Sequence, residues 1–525
     1  MTSPGLPASA GTVVIGSGTG GAALTGVLAE HGSDDVLLIE AGPDYGPRAG
    51  GGWPADVLDA RAIPLSHDWG LDTGTSMPGR VLDLPRARIL GGCSSHNGCT
   101  ASLAAPADYD GWAALGNPGW ACADVEPLLH WAHGRFRVRR YTMPELTAPQ
   151  AAFVHGGLAA GLPFADDLDD LAAGPGIGPM PVNIAGGIRW NAAFAFLDPV
   201  RDAPHLRIAG RTTARRLVIR RGVVTGVEVT TADGGAHVIQ AGRVVVAGGA
   251  YHSPALLLAS GIGPADELSE LGISPVADLP GVGRHLLDHP CAALHFTGRD
   301  GLAGELAAAG YPDEQTVGRA RSTRCDAGPY DMHVFMVAGA NSGHPGLPPI
   351  SLYAGAMRAR SEGRVTLAPA AGVRNAASGL AVDHRYLSDP DGHDRAVLTE
   401  ALDLLRAITA DAKLAEILGR VAGHGADPLA APASYCHPAG TCKLGPASDP
   451  GAVVDAAGAV HGVGNLYVAD ASIMPTITRG NPNLPTAMIG ARIAAGLLGL
   501  TPADVARSQA EPAPARPLTS RPNGQ

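Results

Sequence analysis

Lysine is almost missing from this chain: Lys413 and Lys443 stand alone among 525 residues, and arginine supplies the remaining positive charge. The formal net charge is -11 and the pI is near 5.9. No basic surface is therefore expected for neutralising phosphates, which excludes a non-specific nucleic-acid binder. Cysteine is scarce too. The seven are odd in number, spread widely and never spaced as CxxC, so neither a disulfide framework nor a zinc site is expected, and a reducing cytoplasm is the expected compartment. Aromatic residues make up only 4%. No uncharged apolar run approaches the roughly 20 residues that span a bilayer. Residues 1–11 lack the basic and apolar regions of a signal peptide, so a protein without a membrane partner is expected. No internal repeat is visible.

What the chain does have is glycine, 72 residues of it, with 44 prolines and a hydrophobic fraction of 45%, a globular and loop-rich composition. Its length exceeds one ordinary hydrophobic core, so two interleaved domains are expected. The strand Thr12–Ile15 runs into Gly16-Ser-Gly-Thr-Gly-Gly21. A helical pattern to His31 and the strand Val36–Glu40 follow. Gly16 permits the tight turn, Gly18 lets backbone approach a pyrophosphate, and Gly21 lets the helix lie close to the sheet, its N-terminus facing the anion. Glu40, at the end of the second strand, is placed to accept hydrogen bonds from adenosine ribose hydroxyls. This βαβ start marks a dinucleotide site without deciding between FAD and NAD.

Residues Arg88-Ile-Leu-Gly-Gly-Cys-Ser-Ser-His-Asn-Gly98 form a second small-residue run, in which Gly91, Gly92, Ser95 and Gly98 leave backbone N–H groups free to face a flat ligand. With Gly248–Pro264, Tyr435–Gly445 and Asn465–Gly490, this run resembles the signatures of the glucose-methanol-choline (GMC) oxidoreductases, in order and over nearly the whole chain. The resemblance implies an α/β fold in which a Rossmann-like FAD-binding domain is interleaved with an α+β substrate domain that lays a sheet over the flavin. The FAD-binding parts are expected at 1–150, 201–290 and 435–500, and the substrate domain at 151–200 and 291–434. A structureless tail is expected at 501–525. Antiparallel strands are expected from Leu206 to Val246, a variable loop at Gly301–Ser322, a strand at 361–367 and one helix at about 394–418.

The resemblance also implies roles. His96 stands where the choline oxidase branch bonds its flavin covalently, with Asn97 beside it. Val218, in the strand opening at Arg216, and Asp470, near the ribityl-phosphate, join the cofactor-binding positions. His437 sits over the flavin N5 edge, where a near-neutral imidazole can take an alcohol's proton as hydride leaves carbon. Asn481 hydrogen-bonds the substrate oxygen, and Asn483 lies nearer a flavin carbonyl or caps the following helix. Gly98 replaces a serine of choline oxidase and leaves room for a larger substrate, such as the amino sugar alcohols of actinobacterial aminoglycoside 6'-oxidases. Trp69 reads as a core tryptophan rather than a pocket wall. The expectation is an FAD-dependent alcohol oxidoreductase that passes electrons to oxygen or another acceptor, with no metal. A flavin-containing hydroxynitrile lyase of the same fold is the alternative.

Overall fold

The structure is a computed structural model that describes residues 6–64, 66–77, 80–310, 312–339, 348–368, 379–422 and 427–507. Two sheets carry it. In the first, Ser9–Ile15 is central, flanked by Val36–Ile39 and Ala236–Val246 as parallel neighbours. Its flanking residues Val13, Val14, Leu37, Leu38, Val244 and Val245 are almost wholly buried, as strands covered on both faces require. The strand Leu206–Ala209 also joins here, but parallel to Val36–Ile39, not antiparallel as expected. Thr212–Arg220, Val223–Thr231 and Ala236–Val246 form the expected antiparallel meander. Leu466–Val468 returns late in the chain to pair with Ala236–Val246.

The helix Thr19–His31 packs on this sheet and against the helix Asn483–Leu498, so residues more than 450 positions apart share one core. That core also takes in Trp190–Val200, a stretch expected in the substrate part: Phe194 and Phe196 are apolar and pack there with Trp53, Trp131 and Phe136. The expected tail starts late. Thr501 caps a short helix over Pro502–Ala506, and residues 508–525 lie outside the described residues.

The second sheet is antiparallel, in the order Ala433–Ser434, Pro290–Phe296, Ile350–Ala356, Met332–Ala338, Thr316–Ala320, Gly176–Pro179. Gly301–Ser322 is thus no plain loop. It holds a helix, Leu302–Ala309, and the wholly buried strand Thr316–Ala320, whose mix of glycine and arginine hides the usual strand pattern. The expected helix near 394–418 is two, His393–Thr409 and Ala412–Leu418, split where the Asp411 carboxylate caps the second. A strand at Arg364–Leu367 pairs with Leu380–Asp383.

Period-2 alternation sorts the second sheet's faces. Met332, Val334, Met336 and Ala338 join Ile350, Leu352, Ala354 and Ala356 in a core with the helices Ala148–Ala159 and His393–Thr409. Phe335, Val337 and Tyr353 point the other way, into a large cavity whose opposite wall is the glycine-rich edge of the first sheet.

Candidate active site

That cavity, of about 1530 Å³, is long enough in its lining to run from Gly18 and Glu40 to Phe335 and Tyr353. Its nucleotide end is made by glycine loops locked together. Gly16 takes φ +97°, and an added Cβ there would collide with the Ala247 carbonyl. A Cβ on Gly21 would strike the Gly16 carbonyl, whereas one on Gly18 would meet nothing: Gly18 faces the cavity and Gly21 lets the helix lie against the turn. Gly91 and Gly92 also have positive φ, and a Cβ on Gly92 would sit 2.6 Å from the Gly18 Cα. The two small-residue runs, far apart in sequence, therefore form a single surface.

Glu40 is buried, and its carboxylate accepts from the Ser17 N–H (3.0 Å), the Ser17 hydroxyl (2.7 Å) and the Gly42 N–H (2.8 Å). Burial raises its pKa against those hydrogen bonds. It braces the first glycine loop while still lining the cavity. Asp470 works the same way. It accepts from the Gly249 N–H, the Ser253 hydroxyl and the Ser472 N–H, tying the turn after Val246 to the late strand. Ser95 donates to the Leu90 carbonyl and holds the loop from within, outside the cavity lining. Val218 also lies away from the lining; Thr212–Arg215, earlier in the same strand, reach it instead.

His96 is 7% exposed, and its Nε2 has no partner among the described residues. Burial, opposed by Asp68, lowers its pKa to about 4, so the ring presents a neutral nitrogen to the cavity. The Asn97 side chain accepts from the Cys99 N–H, and the Asn97 backbone carbonyl accepts from Arg189, a buried guanidinium that also donates to the Val57 and Ala62 carbonyls. Asn483 accepts from the Thr19 hydroxyl at 2.6 Å, which leaves its buried Nδ2 aimed into the cavity without a partner. Pro482 occupies the cap position, so Asn483 begins the helix and its side chain makes no cap bond.

At the other end, His437 and Asn481 meet: the Asn481 amide donates to His437 Nε2 at 3.2 Å. The other face of His437 is set by a residue the motifs left without a role. His289 Nδ1 lies 2.9 Å from His437 Nδ1, and His289 Nε2 lies 3.0 Å from the Thr478 carbonyl. A carbonyl only accepts, so His289 Nε2 carries its proton. Burial lowers the pKa of His289 to about 4, so the ring is neutral and its Nδ1 accepts. His437 Nδ1 is then the donor, and His437 Nε2 carries no proton, its lone pair accepting from Asn481. Burial, together with His289, keeps His437 well below the usual histidine pKa, in its basic form. Asp288 anchors the group, accepting from the His437 N–H (2.9 Å), the Tyr386 hydroxyl (2.7 Å) and the Ser434 hydroxyl (2.5 Å).

The cavity fits a flavin dinucleotide. Gly18 leaves open space, the glycine loops offer backbone, and two buried nitrogens, on His96 and Asn483, point inward unpaired. A GMC oxidoreductase family model matches residues 12–291 in its N-terminal part and 359–490 in its C-terminal part. The chain belongs to the GMC oxidoreductase family. An oxygen-dependent choline dehydrogenase of Brucella anthropi is 34% identical, covering 95% of this chain and 97% of that protein. One from Rhizobium etli is 32% identical with the same coverage. Among solved structures, pyridoxine 4-oxidase from Mesorbium loti is 27% identical with a TM-score of 0.80, covering 93% of this chain and 99% of that one. A formate oxidase from Aspergillus oryzae, at 21% identity and a TM-score of 0.79, shares the fold. As a GMC oxidoreductase this protein is a flavin enzyme with FAD as its cofactor.

One expectation for this GMC site changes in three dimensions. Trp69 packs against a buried cluster but is itself only half-buried. It lines the cavity, its ring 4.4 Å from that of His252 and capped by Arg88. Gly98 lines the cavity, and a Cβ there would meet Glu314 Oε2 at 3.4 Å, an ordinary contact distance. Glu314 escaped the sequence reading because it sits in a segment with no motif. Among the described residues no helix is long and apolar enough to cross a membrane.

Proposed function

We propose that this GMC oxidoreductase oxidises a primary or secondary alcohol to an aldehyde or ketone, with His437 as the base and Asn481 as its partner on the substrate oxygen. The observation that carries the reading is the unprotonated Nε2 of His437, made so by the Thr478–His289 hydrogen-bond chain and held by the Asn481 amide in the cavity. An alcohol hydroxyl placed between the two side chains loses its proton to Nε2, while the amide N–H holds its oxygen. His289 stabilises the imidazolium that results, because its Nδ1 keeps accepting from His437 Nδ1. His437 is itself buried, which strengthens both hydrogen bonds. The bound flavin supplies the two-electron acceptor for the hydride.

The finer reading is an alcohol that also carries an amine, choline-like or an amino sugar, in keeping with the choline dehydrogenases among the relatives. Oxygen is the favoured acceptor on the same ground. The unpaired His96 Nε2 supports a covalent flavin bond at that nitrogen, and seven free cysteines suit a reducing cytoplasm. The relatives named above are dehydrogenases and oxidases, which does not favour the lyase alternative. Anaerobic titration of the yellow protein with choline, benzylic alcohols, sugars and aminoglycosides tests the reading. Bleaching of the flavin band by one of them is expected, and a band that none of them bleaches would overturn it.

A further inference from the structure

A second cavity, of about 220 Å³, shares no lining residue with the flavin cavity among those described. Its volume is several times the ~30 Å³ share of one water molecule. Thr476, Ile477 and Arg479 form one side of it, and the Thr478 carbonyl in their midst is the one that meets His289. Arg358, Ala359 and Arg360, just beyond the strand Ile350–Ala356, form another. Leu287, Ala327, Ala359 and Ile477 make part of the lining apolar.

The charges around this cavity are unevenly satisfied. Its carboxylates are all engaged: Asp331 accepts from the Ser322 N–H (2.7 Å) and hydroxyl (2.6 Å), Glu362 pairs with His285 (2.9 Å), and Asp326 pairs with Arg360 (2.7 Å). The guanidiniums of Arg358 and Arg479 are less well served. Arg358 donates to the Ile477 carbonyl at 3.0 Å and lies 3.7 Å from an Asp108 oxygen that Arg479 already holds at 2.5 Å. Arg479 is 1% exposed; its terminal nitrogens bond Asp108 and the Ala327 carbonyl, but its buried Nε has no partner among the described residues. Burial, opposed by Asp108 and reinforced by Arg479, lowers the pKa of Arg358. Two crowded guanidiniums with donors to spare are relieved by an anion.

The same acids limit what that anion can be. A dianion would face Asp326, Asp331 and Glu362 across the cavity, whereas a single carboxylate matches the fork of a guanidinium and can lay its hydrocarbon part on the apolar lining. We propose that this cavity binds a small aliphatic monocarboxylate, its oxygens held by Arg358 and Arg479. The site stands apart from the alcohol chemistry at His437, and residues 476–479 connect the two through the Thr478 carbonyl.

The test uses the flavin-loaded full-length enzyme with no alcohol present. Sodium butyrate is titrated into it in a calorimeter at constant ionic strength, with sodium phosphate as the comparison. Wild type is expected to bind butyrate, and more tightly than phosphate. Arg358→Met, which keeps the length of the side chain and removes the charge, is expected to weaken butyrate about tenfold, the size of a charge-assisted hydrogen bond, and Arg358→Lys to recover part of the loss. Absence of butyrate binding, binding that Arg358→Met leaves unchanged, or tighter binding of phosphate overturns the proposal. Should the Arg358 variants not load flavin, phenylglyoxal labelling of wild type read by peptide mass spectrometry decides: butyrate is expected to slow modification of Arg358, and an unchanged rate overturns the site.

Discussion

The two walls of the cavity reach function by opposite means. The nucleotide wall works through what it leaves out. Gly16, Gly20, Gly21 and Gly92 each press against backbone where a Cβ would collide, and the polar side chains Glu40 and Asp470 satisfy the loops around them. The sheet wall works through what it puts in: Phe335 and Tyr353 project from one face of two strands whose other face, Met336 and Leu352, is plain core. A backbone-built wall suits a ligand that never changes, while a wall of side chains on a rigid sheet can be altered residue by residue.

Substitutions should separate the two walls. The largest effect is expected on the nucleotide wall. Gly21→Val puts a branched side chain into the Gly16 carbonyl, and overpacking of that kind costs about 1–3 kcal/mol or more, so the variant should be recovered without flavin or not at all, as its ratio of flavin to protein absorbance would show. A Gly21→Val protein with full yellow colour would refute the interlock. Next comes the base. His437→Ala should keep its flavin and lose about 10²- to 10⁴-fold in the rate of flavin reduction by alcohol, while His289→Ala should lose less and shift the pH profile, since it acts only through the His437 tautomer.

The faces of one strand give a sharper contrast. Met336→Ala should lower stability by about 2–5 kcal/mol in chemical denaturation, with KM little changed. Phe335→Leu should move KM for amine-bearing alcohols and lower the denaturation midpoint less than Met336→Ala, because Phe335 packs in a smaller buried cluster beside the cavity. The gentlest probe is pH. Burial, then Asp313, raises the Glu314 pKa to about 7. Without ligand, the folded state holds this proton more firmly than the unfolded chain, so stability should fall as pH rises from 4.5 to about 7 and then level off. Comparing thermal midpoints of wild type and Glu314→Gln across this range isolates the contribution.

Much of the site was legible because its signals are local. Glycine spacing after a short strand, an acid at the end of the next strand, and the histidine and asparagine in their late motifs need only a few neighbouring residues to be recognised. Trp69 was only half placed, because whether a side chain meets core or cavity depends on what arrives from elsewhere, here His252.

The sequence by itself determined the glycine loops, the order of segments and the pair His437 and Asn481, since each rests on backbone freedom or chemistry carried by a short run. Tertiary structure alone decided the rest. The proton on His437 is assigned by a carbonyl at Thr478 acting through His289, three positions far apart in the chain. The stacked wall exists because strands from separate segments pair in a register that turns Phe335 and Tyr353 to the same side. Long-range pairing and burial set these contacts, and neither leaves a local mark in the order of residues.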